Sequence, residues 1–239
     1  LESKDWKQLI PDAFEWIDRV QVRSQSSGLV KGAVCVIPTR KENGVAASNL
    51  AGLGLGDTIT EQLTSRIKQH GWTGESILEL LVDNNLLVLV PMTRLPVGKR
   101  QVARQVGLDF AAVFHERGLN HIAFLGDAHT PLVDILEGYC LAQFRVDTLK
   151  EKAPSNIEIT DITLVGGGLQ TEQIDKAKYL AKSMMLTRTI EDIPANIMTP
   201  DKLASIAEGI SSELGLRCRI GDRQKLLEEG MEAFHSVSR

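Results

Sequence analysis

The chain has 239 residues, 43% hydrophobic and 24% charged, with a formal net charge of -4. That profile excludes a disordered polymer, and the charge gives no field for general binding to nucleic acid or an anionic membrane. The longest apolar run, around Leu86–Pro91, is far short of the ~18 residues of a membrane span.

Cys35, Cys140 and Cys218 lie too far apart for a zinc spacing or a disulfide framework. A reducing, cytoplasmic setting follows as the expectation. The start, Leu1–Trp6, has neither the basic nor the apolar region of a signal peptide. It also has no Met, which suggests a chain trimmed at its start.

Val30–Pro38 is predicted as a strand stopped by Pro38, whereas Val45–Leu50 makes a poor one. Gly52-Leu53-Gly54-Leu55-Gly56 precedes a helix carrying Ile59, Leu63 and Ile67. It could cradle a phosphate, but its spacing is not G-x-G-x-x-G. The favoured reading is a flexible loop with Asp57 or Thr58 capping that helix.

Ile77–Val82 and Leu86–Pro91 are predicted strands around the turn Asp83-Asn84-Asn85. Val102, Val106, Phe110, Val113 and Phe114 share one helix face, and Gly118 is its stop. His121–Gly126 is a buried strand. Thr130-Pro131 reads as a cap followed by Pro at the first helical position, with Val133, Leu136, Cys140 and Phe144 on the buried face.

Ile157–Val165 is the next strand, and Gly166-Gly167-Gly168 closes it. A long helix follows from near Thr171 to about Ile190, with Ile174, Ala177, Ala181 and Met184 in line; Pro194 ends it. Thr199-Pro200 opens another helix, with Leu203, Ala207, Ile210 and Leu214 as its core face and Gly215 as its stop. Leu216–Ile220 is a candidate short strand, and Leu227, Met231 and Phe234 mark a last helix that Gly230 weakens. Strands alternating with helices predict an α/β layer with a largely parallel sheet.

The candidate chemistry is sparse. Gly166, Gly167 and Gly168 stand between a strand and a helix, where open α/β sheets bind ligands. A structural turn that needs positive φ is the favoured alternative. None of His70, His115, His121, His129 and His235 stands in a metal spacing. His129, beside Asp127, is expected to serve a loop or a cap. No Ser stands in G-x-S-x-G. Asp134 and Glu137 are expected on a solvated helix face. Arg94, Lys99, Arg100 and Arg104 form a basic cluster that could meet phosphates, though a solvated helix start or a subunit contact is favoured.

One segment is more specific. Arg188-Thr189-Ile190-Glu191-Asp192-Ile193-Pro194-Ala195-Asn196-Ile197-Met198-Thr199-Pro200 resembles the interdomain segment of the leucine (cytosol) aminopeptidases, R-x-L-x-N-x-P-x-N-x-x-T-P. Arg188, Pro194, Asn196, Thr199 and Pro200 match, and Ile190 takes the Leu position. Asp192 departs from the usual Asn and brings a charge without an amide donor. Glu137-Gly138-Tyr139 through Phe144-Arg145-Val146-Asp147 to Lys150 is similar to a second family segment. Glu229–Phe234 with Ser236–Arg239 is similar to a third, which leads into a Gly-Ser turn.

The resemblance covers roughly residues 86–239. It implies a macro-domain-like N-terminal α/β domain over residues 1–170 and an interdomain linker helix over 171–193. Residues 194–239 would be the incomplete start of a peptidase domain. It further implies a metallo-exopeptidase that removes N-terminal residues from peptides, a homohexamer, and two divalent metals, Zn or Mn, in the catalytic domain. The family's metal-binding motifs do not occur in this chain, so no cofactor, catalytic residue or metal ligand is assigned to it. The macro-domain likeness also admits an ADP-ribose-like ligand at Gly166–Gly168, or a DNA-binding module, although a nucleic-acid partner is not expected. The expectation is a non-catalytic N-terminal part of such a peptidase, inactive alone.

Overall fold

The computed structural model describes residues 7, 16–42, 45–47, 50–92, 99–114, 117–144 and 159–237. The chain divides into two compact units, Ala13–Arg188 and one that includes Thr189–Arg239.

The first unit is built on a sheet. Its strands are β1 (Gln21–Gln25), β2 (Val34–Glu42), β3 (Val45–Ala47), β4 (Leu78–Val82), β5 (Asn85–Pro91), β6 (His121–Leu125) and β7 (Asp161–Val165). The order is β1-β7-β6-β2-β5-β4, with β3 paired to β2. The pairs β1/β7, β7/β6, β6/β2 and β2/β5 are parallel, whereas β4/β5 and β2/β3 are antiparallel. The sheet is therefore mostly parallel, as the alternation of strand and helix predicts.

Both sheet faces are covered, which is why the central strands are continuous apolar runs. Alternation puts Cys35, Ile37, Leu87, Leu89, Ala123 and Leu125 on one face, packed with Leu53, Leu55 and Leu63. Phe124 points to the other face, edge-on to Phe110 (5.8 Å between centroids) and to Tyr139 (5.6 Å). Phe110 lies on α3 (Lys99–Phe114) and Tyr139 on α4 (Leu132–Ala142).

Several local expectations need correction. Pro38 does not stop β2, which runs on to Glu42. The backbones of Ile37 and Thr39 turn toward β5, so that of Pro38 turns toward β6, whose pairing with β2 already ended at Val36–Phe124. The missing N–H thus falls where no ladder bond is needed. Val45–Ala47 is a strand after all, and Leu50–Leu53 is a 3-10 turn. The β4–β5 turn is tighter than expected: Asp83 (φ 47°) and Asn84 (φ 59°) are its two central residues.

α4 begins at Leu132, with Pro131 as its cap residue and no side-chain cap. Thr130 instead bonds back to Asp127. On α3, Val113 is exposed and Ala103 is buried in its stead. Asp161 rather than Ile157 opens β7, and residues 157–158 lie outside the described residues.

α5 (Thr171–Asp192) packs Ile174, Ala177, Ala181 and Met185 inward, whereas Met184 is exposed. Lys178 Nζ donates to the Val20 carbonyl at 3.1 Å, and Lys182 pairs with Asp18 beside α1 (Trp16–Arg19). The helix therefore lies along the first unit through Arg188 before it enters the second.

In the second unit, α6 (Pro200–Glu213) is capped by Thr199, whose side chain accepts from the Lys202 N–H at 3.3 Å. Pro200 is its first residue, as expected. Its buried residue is Ile206; Leu203 and Leu214 are exposed. Leu216–Ile220 forms no strand, because no described strand lies beside it to supply a ladder. Gly230, at φ 73°, splits the last helix into α7 (Arg223–Glu228) and α8 (Glu232–Val237). Among the described residues no helix is long and apolar enough to cross a membrane.

Candidate functional site

The parallel strands deliver their C-terminal ends to one edge of the sheet. After β2 the chain adds β5 on one side, and β6 and β7 are then added on the other. The order reverses between β2 and β6, which is where open α/β sheets form a ligand crevice.

The loops at that edge touch one another. Gly28 N donates to Leu53 O at 3.4 Å, Gly126 N to Val165 O at 2.9 Å, and Gly166 N to Gln25 O at 2.8 Å. Arg40 Nη2 donates to His129 O at 3.0 Å. Gly52 approaches Asp127 so closely that a Cβ added to it would stand 3.3 Å from that of Asp127.

Gly166 has φ 103°, and a Cβ there would sit 2.0 Å from the Gly126 carbonyl oxygen. Close approach of two backbones accounts for this glycine. Gly168, at φ 57°, has open space where a Cβ would stand. Asp127 Oδ1 accepts from the His129 N–H at 3.0 Å and from Thr130 Oγ1 at 2.7 Å, so the carboxylate closes its own loop. His129 thus takes the loop role expected of it.

The Gly52–Gly56 segment is less free than a flexible loop. Leu53 and Leu55 are buried in the sheet core. Neither Asp57 nor Thr58 caps α2 (Asp57–Gln69): its cap residue is Gly56, without a side-chain cap bond. Thr60 Oγ1 donates back to Gly56 O at 2.8 Å. Among the described residues this edge offers a ligand backbone hydrogen bonding, with the Asp127 carboxylate already engaged.

The basic cluster is resolved differently from either reading of the sequence. Arg94 and the side chain of Lys99 lie outside the described residues. Arg100 Nε and Nη2 bond Asp134 (3.0 Å) and Glu137 (2.8 Å), and Arg104 also binds Glu137. Glu137 is 1% exposed, so it is no solvated helix carboxylate. Its hydrogen bond and charge raise the Arg100 pKa above the ordinary guanidinium value. These arginines neutralise a buried acid rather than await an anion.

The burial of Glu137 follows from how α3 meets α4. A Cβ on Gly138 would lie 2.0 Å from Arg104 O, and one on Gly107 would lie 2.3 Å from Ile135 O. The two helices touch backbone to backbone, and side chains flanking the contact are sealed in. The sequence signal was available: a lone Gly inside each helical pattern marks a packing site.

Arg188 donates to Leu141 O at 3.4 Å, with its guanidinium carbon 4.5 Å from the Phe144 ring centre. Pro194 O accepts from Ile197 N (2.8 Å) and Met198 N (2.9 Å), which turns the chain toward Thr199 and α6. Asn196 lies in that turn. Arg145, Val146, Asp147 and Lys150 of the second family-like segment lie outside the described residues, as do Ser238 and Arg239 of the third.

Among the described residues no three His, Cys, Asp or Glu side chains are grouped to hold a metal ion. The described residues therefore do not fit the two divalent metals that the resemblance implies. Burial raises the Cys35 thiol pKa and pushes that of Cys140 up to about 12, while Cys218 is exposed. Raised values leave little thiolate at pH 8. Of the three thiols, one is expected to react rapidly with a chromogenic disulfide reagent at pH 8, and two only after denaturation. Rapid reaction of two or three would contradict the buried placements.

No family model matches the chain. A probable cytosol aminopeptidase of Microcystis aeruginosa is 26% identical over 219 residues, which is 89% of this chain and 43% of the relative. That of Geobacter sulfurreducens is 24% identical over 87% of this chain and 45% of its own length. A solved mutant of tomato leucine aminopeptidase matches with a TM-score of 0.67 and 18% identity, over 86% of this chain and 44% of that one.

The chain is similar in sequence to probable cytosol aminopeptidases and shares the fold of a leucine aminopeptidase structure. It spans under half the length of these curated aminopeptidases. Shorter matches are more similar, as in Aquifex aeolicus, whose probable cytosol aminopeptidase is 31% identical over 106 residues. The α/β fold with its mostly parallel sheet is the fold of the aminopeptidase neighbour.

Proposed function

We propose that this chain is the non-catalytic N-terminal part of a leucine-aminopeptidase-like metallo-exopeptidase that removes N-terminal residues from peptides. The observation that carries this is a match to 89% of the chain that uses only 43% of a cytosol aminopeptidase. Among the described residues no three His, Cys, Asp or Glu side chains are grouped as a metal site would need. In this reading the activation of water by two metals, which would polarise the scissile carbonyl, would fall outside the described residues. The whole protein would act in the cytoplasm as a homo-oligomer, a hexamer by the resemblance.

The second unit supports the same reading. Its apolar side chains are mostly turned outward: Leu214, Leu216, Leu227 and Phe234 are at least half exposed, while Ile193 and Ile206 are buried. Among the described residues, so few buried apolar side chains do not offset the entropy of ordering three helices. Residues 194–239 fit the opening of a peptidase domain whose core needs further elements.

Equilibrium dialysis against Zn²⁺ and Mn²⁺ tests the assignment of metals. The expected result is no tightly held metal. Two equivalents retained against a weak chelator would overturn it.

A further inference from the structure

No further inference is drawn: the strongest candidate, the apolar surface patch that Leu214, Leu216, Ile220, Leu227 and Phe234 expose in the second unit, carries nothing beyond the reading above, because nothing in the structure shows what covers it.

Discussion

Gly138→Ala is expected to destabilise the first unit by about 3 kcal/mol, although the same change in an ordinary exposed helix would stabilise it by about 1 kcal/mol. The sign is decided by one contact. The new methyl would stand 2.0 Å from the Arg104 carbonyl oxygen, far inside van der Waals distance. That oxygen is backbone inside α3, so no side-chain rotation relieves the overlap. α3 and α4 must separate, and separation loosens the packing around Phe110, Phe124 and Tyr139.

Gly107→Ala meets Ile135 O at 2.3 Å and Tyr139 N at 2.4 Å and should cost a similar amount. The double variant should cost less than the sum, because helices already forced apart accept a second methyl more easily. Urea unfolding followed by circular dichroism gives the midpoint shifts. A raised midpoint for Gly138→Ala would show that the helices do not touch as described.

Glu137→Ala is expected to cost about 3 kcal/mol, the low end of the range for breaking a buried ion pair. The low end applies because the two arginines differ. Arg100 has a side chain 53% exposed and can return to water, whereas that of Arg104 is 23% exposed and loses its buried partner. Glu137→Gln should recover only part of the loss, since the amide keeps the shape but turns an NH₂ donor toward a guanidinium. Arg100→Ala should cost under about 1 kcal/mol, as exposed pairs do. The order Glu137→Ala, then Glu137→Gln, then Arg100→Ala is therefore expected in the urea midpoints. Equal effects for Glu137→Ala and Arg100→Ala would mean that Glu137 is not sealed between the helices.

Much of the first unit was legible in the sequence because its strands are short apolar runs bounded by turn residues. Leu86–Pro91 and His121–Gly126 sit in the sheet interior, where burial on both faces leaves no alternation to misread. Pro38 misled because a prolyl nitrogen is harmful only where the ladder needs a donor, and sequence alone does not reveal where a neighbouring strand ends. Asp57, Thr58 and Thr130 misled for a related reason. Each suits a helix cap, but Gly56 takes that position for α2 and Pro131 for α4.

The candidate site was legible in outline only. Gly166–Gly168 do follow a strand at the sheet's carboxyl edge, but the approach of Gly166 to Gly126 spans 40 residues and leaves no local signal. Glu137 was misjudged because a carboxylate three residues from another on a helix looks solvated until a second helix closes over it. Leu216–Ile220 alternates like a strand, but a strand needs a neighbour, and pattern cannot state whether the neighbour is present. The family-like segment around Pro194 and Thr199 was more informative. Its turn and cap are local, so the residues that carry the resemblance also make the structure.

The most direct measurement is hydrolysis of leucine p-nitroanilide by the purified 239-residue chain with added Mn²⁺ or Zn²⁺. The expected result is no release of p-nitroaniline above the metal-only blank at either metal. Metal-dependent turnover abolished by a chelator and restored by fresh metal would contradict a non-catalytic chain, and would require a metal site among these residues.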